Sequence, residues 1–290
     1  MYHRVIPRLD IKGPNLVKGI HFEGLRVLGR PEHFARHYYE SGADELFYQD
    51  AVASLYGRNC LTEIIAKTAG EIFIPLTVGC GLRSLADIKE VLRAGADKVS
   101  LNTAAIARPE LIKEASRSFG SSTIVVSIEA IRRPGGGWEA YTDYGRESTG
   151  LDARAWAVKA AELGAGELMV TSIDREGTGG GFDLELVAAI AQAVDIPVIA
   201  GGGAGCLEHV SQVLREGRAE AVSLASLLHY RYLEDYRFQR ENFPGEGNTE
   251  FLQTARGFGK IRGATLPQVK EHLRQKGLDC RPAPGEASHA

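Results

Sequence analysis

The chain is written twice. Gly42-Ala43-Asp44-Glu45-Leu46 returns as Gly164-Ala165-Gly166-Glu167-Leu168, and Ile74-Pro75-Leu76-Thr77-Val78-Gly79-Cys80-Gly81 returns as Ile196-Pro197-Val198-Ile199-Ala200-Gly201-Gly202-Gly203, both 122 residues downstream. After one inserted residue, Val99-Ser100-Leu101-Asn102-Thr103 aligns with Val222-Ser223-Leu224-Ala225-Ser226. Each copy holds four short β-branched or apolar runs, at 5–9, 45–49, 74–78 and 98–101, then at 123–128, 168–172, 197–200 and 221–224. Helically spaced stretches separate many of them, at 31–42, 85–94, 109–119, 152–164, 183–194 and 207–216. Alternating strand and helix implies a parallel sheet. An open doubly wound sheet would also satisfy that alternation, but two four-strand halves predict a closed α/β structure, a (β/α)8 TIM barrel.

With 290 residues, 44% of them hydrophobic, the chain is long enough for one large barrel and its core. A net charge of −3 removes the general electrostatic case for nucleic acid or an anionic membrane as partner. Cys60, Cys80, Cys206 and Cys280 lie far apart without a C-x-x-C pair, which fits neither a zinc module nor a disulfide framework. A reducing cytoplasm is the simplest setting. The N-terminal run is cut by Pro7 and Asp10, too short for a signal peptide, and no uncharged span of membrane length follows.

The repeat also locates chemistry, because the loops after barrel strands open on the C-terminal face, where barrel active sites lie. Asp10 ends the first strand and Glu129 the fifth, so two carboxylates should face each other across the mouth. Such a pair divides acid and base duties when its surroundings push the two pKa values apart. The plain alternative is two strand-end charges answering loop amides. Glycine turns after strands 3 and 7, with Gly79 and Gly81 in one and Gly202 and Gly203 in the other, let backbone N–H groups approach an anion. Asn102 and Thr103, and in the second half Ala225 and Ser226, would complete two phosphate cradles. A lone glycine triplet is more often a tight turn; the duplication favours cradles.

These residues resemble one family, the cyclase subunit of imidazole glycerol phosphate synthase. The resemblance runs through Arg8-Leu9-Asp10-Ile11-Lys12, Leu16-Val17-Lys18-Gly19, Ala94-Gly95-Ala96-Asp97-Lys98, Thr149-Gly150-Leu151-Asp152, Asp174-Arg175-Glu176-Gly177-Thr178 and Gly202-Gly203-Ala204-Gly205. It spans Val5 to about Tyr230, and Leu266 to Arg281 resembles the closing helix. It implies Asp10 and Glu129 as catalytic carboxyls, Lys18 approaching the substrate, and Thr171 and Gly177 joining the second phosphate site. It implies no metal or cofactor. It also implies ammonia from a glutaminase partner on the N-terminal face, entering past a charged gate of Arg4, Glu45, Lys98 and Glu167. On residue chemistry alone, a structural salt-bridge cluster is the favoured reading of that ring; the resemblance shifts it to the gate.

The chain departs from the family pattern at Glu129 and Glu176, where Asp is usual, and at Cys80, Gly201 and Arg8. It adds residues 231–263, an aromatic and charged insertion read as a partner-binding or lid element or a tolerated surface segment, and a tail 282–290 expected to be flexible. One barrel domain over 1–281 is expected. The leading expectation is the cyclase of histidine biosynthesis. The alternative is a related barrel that delivers ammonia, with a glutaminase, to a nucleotide-sugar amidotransferase.

Overall fold

In the computed structural model, which describes residues 2–53, 62–235 and 260–284, the eight expected runs form one closed parallel barrel. Its strands are β1 (Arg4–Lys12), β2 (Leu46–Asp50), β3 (Leu76–Gly79), β4 (Lys98–Leu101), β5 (Ile124–Arg132), β6 (Glu167–Ser172), β7 (Val198–Gly201) and β8 (Ala221–Leu224). Each pairs in parallel with the next. The two halves join where Thr171 of β6 lies beside Glu129 of β5, and the ring closes where Arg4 and Val5 of β1 pair with Ala221 and Val222 of β8. Closure pairs each of the eight barrel strands with a neighbour on both sides.

Side chains alternate along each strand, so every barrel strand serves two cores. Val5 and Leu9 of β1 face the helices in the large core, with Ile88, Val91, Leu111, Ile112, Val210 and Val213 from the helical side. Ile6, Phe47, Val125, Met169, Ile199 and Ala221 form a separate small cluster that fills the barrel. The covering helices begin where the sequence supplies caps. Ser84 and Asp87 make a reciprocal capping box ahead of Leu85–Arg93, and Asp152 and Asp183 accept from Ala155 and Leu186.

Two antiparallel hairpins rise from matching places in the halves, Asn15–Ile20 with Glu23–Gly29 after β1, and Trp138–Thr142 with Glu147–Asp152 after β5. Neither hairpin is among the eight strand runs expected from the sequence. The first turns at His21 and Phe22, both at positive φ, and the second has Asp143 and Tyr144 in the same conformation. A two-residue turn normally uses glycine or asparagine, so the first segment does not announce itself; the second is a four-residue loop, 143–146, that holds Gly145 at positive φ.

The insertion expected at 231–263 is partly a continuation of structure. Helix Ser226–Asp235 runs through its start, with Tyr232 buried against Phe34 and His37. The Arg262 N–H donates to the Gly205 carbonyl at its end. Its remaining aromatic residues and the turn at 244–248 lie outside the described residues. At the C-terminus, Ala283 is buried beside Gly42, so ordered packing extends past Arg281.

The closing helix Leu266–Gln275 is fixed by a buried charge. Lys270, fully enclosed, donates to Asp44 Oδ1 at 2.8 Å, Arg281 Nε reaches the same oxygen at 3.1 Å, and Oδ2 accepts from the Val5 N–H at 2.8 Å. Removing one member of a buried pair strands the other. Asp44→Ala should therefore cost about 3 kcal/mol in urea denaturation, and adding Lys270→Met should recover most of that loss. Additive losses in the double variant would show that the pair is not what holds the helix.

Candidate active site

On β1 the inward column reads Arg4, Ile6, Arg8, Asp10 from the N-terminal face to the C-terminal mouth. At the mouth, Arg8, Asp10, Lys18, Glu129 and Glu176 are all buried. Arg8 Nε donates to Asp10 Oδ1 at 2.8 Å, and Lys18 Nζ reaches Asp10 Oδ2 at 3.4 Å. Lys18 also pairs closely with Glu176. Lys18 sits not on a loop but on a hairpin strand hydrogen-bonded to β1, with Asp10 opposite Val17. Glu176 arrives from the loop after β6, which can approach because Gly177, at φ 72°, would place any Cβ 2.4 Å from the Gly19 carbonyl. Gly177 thus positions Glu176 against Lys18 rather than simply opening space for an anion.

The aromatic tips of both hairpins cover this cluster. Phe22 and Tyr144 lie 4.3 Å apart between ring centroids, and the Arg8 guanidinium sits 5.4 Å over Phe22 and 5.9 Å over Phe47. Beneath, the backbone of Arg8 is tied to the helical layer. The Tyr38 hydroxyl and His229 Nδ1 are 2.6 Å apart, and His229 Nε2 lies 3.0 Å from the Arg8 carbonyl. Because a carbonyl only accepts, Nε2 carries the proton and Nδ1 accepts from Tyr38. Burial, with the nearby Lys18 charge, pushes His229 down to about 3, which keeps it in that neutral form.

The two carboxyls differ. Burial alone would push Asp10 up, but the charges of Arg8 and Lys18 and the Arg8 hydrogen bond outweigh it and hold Asp10 below its ordinary value. Glu129 is pushed up to about 7, first by burial and further by Asp10 and Glu176; Arg8 and the Gly145 N–H offset this only in part. Its one side-chain donor is neutral, Asn102 Nδ2 at 3.1 Å. The unfolded chain releases the Glu129 proton near 4.5, whereas the folded chain keeps it to about 7. Stability contributed by this group is therefore lost as pH rises from 4.5 through 7, by about 3 kcal/mol in all. Glu129→Gln should escape that loss, so its stability relative to the parent should rise between pH 5 and pH 8 in denaturant titrations. A pH-independent difference would show that Glu129 holds no proton.

Beside Glu129 lies a cavity of about 320 Å³ lined by Cys80, Gly81, Asn102, Thr103, Arg83 and Arg108, among others. The first glycine turn therefore borders an open space that reaches the Glu129 carboxyl, and the two arginines are cations not expected there from the sequence. Asn102 is committed to Glu129 and to the Tyr141 carbonyl, and the Thr103 hydroxyl accepts from the Asp143 N–H at 3.0 Å. Gly79 lies deeper, where a Cβ would strike Gln49. In the second half, the Thr171 hydroxyl accepts from Arg8 Nη1 at 3.3 Å. Gly202 and Gly203 have positive φ, and a Cβ on Gly203 would lie 2.2 Å from the Gly181 carbonyl. The Ala225 carbonyl accepts the first helical N–H groups after Ser226, from Leu228 and His229.

Cys80 is disulfide-bonded, while Cys206 and Cys280 are free. This corrects the expectation of a chain without disulfides. Pairing depends on approach in space, which separation along the sequence does not report. Among the described residues, no group of three or more His, Cys, Asp or Glu side chains is placed to hold a metal.

At the opposite end of the barrel the four charged residues meet in a closed ring. Arg4 Nη1 pairs with Glu45 at 2.5 Å and Glu167 at 2.8 Å, and Lys98 Nζ pairs with the same two carboxylates at 3.0 and 3.2 Å. Each side chain is mostly but not fully covered. Phe73, just before β3, and Tyr2, just before β1, are 83% and 71% exposed on this face.

The duplicated barrel, with its charged mouth and two glycine turns, is that of a half-barrel-repeat enzyme. Residues 4–234 match the family of histidine biosynthesis proteins, and the chain belongs to it. It is 58% identical over 205 residues to the imidazole glycerol phosphate synthase subunit HisF of Legionella pneumophila, covering 71% of this chain and 97% of that protein. It is 53% identical over 235 residues to the HisF subunit of Thermosynechococcus vestitus, covering 79% and 84%. The HisF subunit of Synechococcus sp. is likewise 53% identical, over 230 residues.

Proposed function

We propose that this chain is the cyclase subunit of imidazole glycerol phosphate synthase. Ammonia attacks the ribulosyl carbonyl of a bisphosphorylated formimino-aminoimidazole carboxamide ribotide. Ring closure then releases imidazole glycerol phosphate and aminoimidazole carboxamide ribotide. The observation that carries this reading is the pair of unlike buried carboxyls, Asp10 and Glu129, standing between a glycine turn from each half of the barrel. A substrate with phosphate at both ends matches two cradles, and the proton transfers of imine formation need one group that accepts and one that gives. Lys18 would carry positive charge to the substrate. A phosphorylated substrate and product, which do not cross membranes unaided, support a cytoplasmic setting for the reaction.

The charged ring supports a second part of the proposal, a glutaminase docked on the N-terminal face. Exposed aromatics beside a ring of paired charges are the composition of a docking surface. Above the ring, the apolar layer of Ile6, Phe47, Val125, Met169, Ile199 and Ala221 is a medium that neutral ammonia can cross at far lower cost than ammonium.

With ammonium salts at raised pH, the purified chain should form imidazole glycerol phosphate, and Asp10→Asn should lower kcat by at least about a hundredfold. Binding of the bisphosphate without turnover would replace this reading by the ammonia-delivery alternative. Lys98→Ala should reduce glutamine-dependent turnover with the partner several-fold more than ammonia-dependent turnover of the isolated barrel. A parallel fall in both, or loss of thermal stability, would make the ring purely structural.

A further inference from the structure

We propose that Arg8 is a positioning residue that divides the proton work of the mouth, holding Asp10 as the carboxylate that accepts protons and leaving Glu129 as the carboxyl that gives them. This rests on the cyclase reading. The repeat supplies the comparison within one molecule. Asp10 and Glu129 are equivalent positions, and two residues earlier on the same inward columns stand Arg8 and Ser127. One half sets a cation beneath its carboxyl and the other sets a hydroxyl. Consequently both oxygens of Asp10 meet cations, Arg8 Nε at 2.8 Å and Lys18 Nζ at 3.4 Å, whereas Glu129 meets the neutral Asn102 amide at 3.1 Å.

Arg8 is built for charge more than for bonding. Its Nη2, buried, has no hydrogen-bond partner among the described residues, while its guanidinium lies near Phe22 and Phe47 and its carbonyl is pinned by His229. A buried donor left unused is uncommon in folded proteins and calls for a role. The groups facing Asp10 are Arg8 on its own strand, Lys18 on the first hairpin, His229 on the helix after β8, Tyr144 from the second hairpin, and Glu129 across the mouth. Those facing Glu129 are Arg8 and Asp10 from β1, Glu176 from the loop after β6, Tyr144 from the second hairpin, and the Gly145 N–H. Arg8 is the cation that acts strongly on both carboxyls.

The chemistry closes with these two groups. Ammonia nitrogen bonds to the ribulosyl carbonyl carbon, and the carbonyl π pair moves onto oxygen, which takes the Glu129 proton. Asp10 takes a proton from the new ammonium nitrogen. Asp10 then returns that proton to the hydroxyl, which leaves as water, while Glu129 recovers a proton from nitrogen to give the neutral imine. Both groups end as they began.

The test follows the protonated-carboxyl stretching band by infrared titration, with kcat measured across pH at fixed free ammonia. In the parent protein one buried carboxyl should titrate near 7 and vanish in Glu129→Gln. Because Arg8 lowers both carboxyls, Arg8→Gln should raise that midpoint by about one pH unit and bring Asp10 into view as a second protonated carboxyl. The kcat optimum should move alkaline by a similar amount, and Arg8→Lys should restore part of the shift. Unmoved carboxyl midpoints in folded Arg8→Gln, or a parent protein with no protonated carboxyl at pH 6, would overturn the proposal. Should Arg8→Gln fail to fold, the parent and Arg8→Lys titrations still decide. If the band shifts as stated but no variant or parent makes product, the assignment of protons stands and the cyclase reading fails.

Discussion

A closed cylinder of eight strands has room inside for only every second side chain, and this period-two constraint governs everything above and below the middle of the barrel. It converts the spacing of Arg4, Ile6, Arg8 and Asp10 into a vertical column. It does the same for Glu45, just before β2, with Phe47 and Gln49 on that strand, and for Glu167, Met169 and Thr171 on β6. A one-residue slip in register would send the apolar plug outward and bury the helix-facing valines in the mouth. The ion-pair ring, the apolar layer and the charged mouth are therefore three consecutive floors of one structure, and none can be re-sited without moving the others.

Duplication builds the frame, and divergence within it builds the chemistry. Both halves end an inward column in a carboxyl and raise a hairpin from the same place. Lys18 on the first hairpin has no cationic counterpart at the matching part of the second, where Tyr141 pairs with Glu129 across the ladder. The cations thus gather on the Asp10 side. Burial acts on both carboxyls alike, so the sign of each shift is set by what stands next to it. A symmetric barrel would give two equivalent acids; the asymmetry of a few side chains makes them different reagents.

How much of this could be read from the chain follows from which features are local. The eight strands were legible because apolar runs and a 122-residue repeat are properties of sequence order. Asp10, Glu129 and the four ring residues were legible because strand ends map directly onto barrel faces. The first hairpin was not, since His21-Phe22 lacks the glycine or asparagine that marks such a turn; the second carried only Gly145 in its four-residue loop, a weak signal without a two-residue spacing. The use of Asn102 as a donor to Glu129, and of Gly177 as a spacer that admits Glu176 to Lys18, depends on loops folding over one another, which no spacing rule reports. Arg83, Arg108 and Phe73 were missed for a different reason: a surface arginine or phenylalanine carries no signal until a cavity or a face is seen beside it.

The barrel interior sets an upper bound on what can travel from one face to the other. Above the ring stand six apolar side chains, and above them the Arg8 guanidinium packed against Phe47 and bonded to Thr171. A cation moving up this axis would shed its water into the apolar layer and then meet a fixed positive charge, two penalties of the same sign. A neutral molecule the size of water meets neither. On the proposed cyclase reading that molecule is ammonia, and it would arrive beneath Asp10, held below its ordinary pKa by Arg8 and Lys18, so the features that close the axis to ammonium would also prepare the mouth for ammonia.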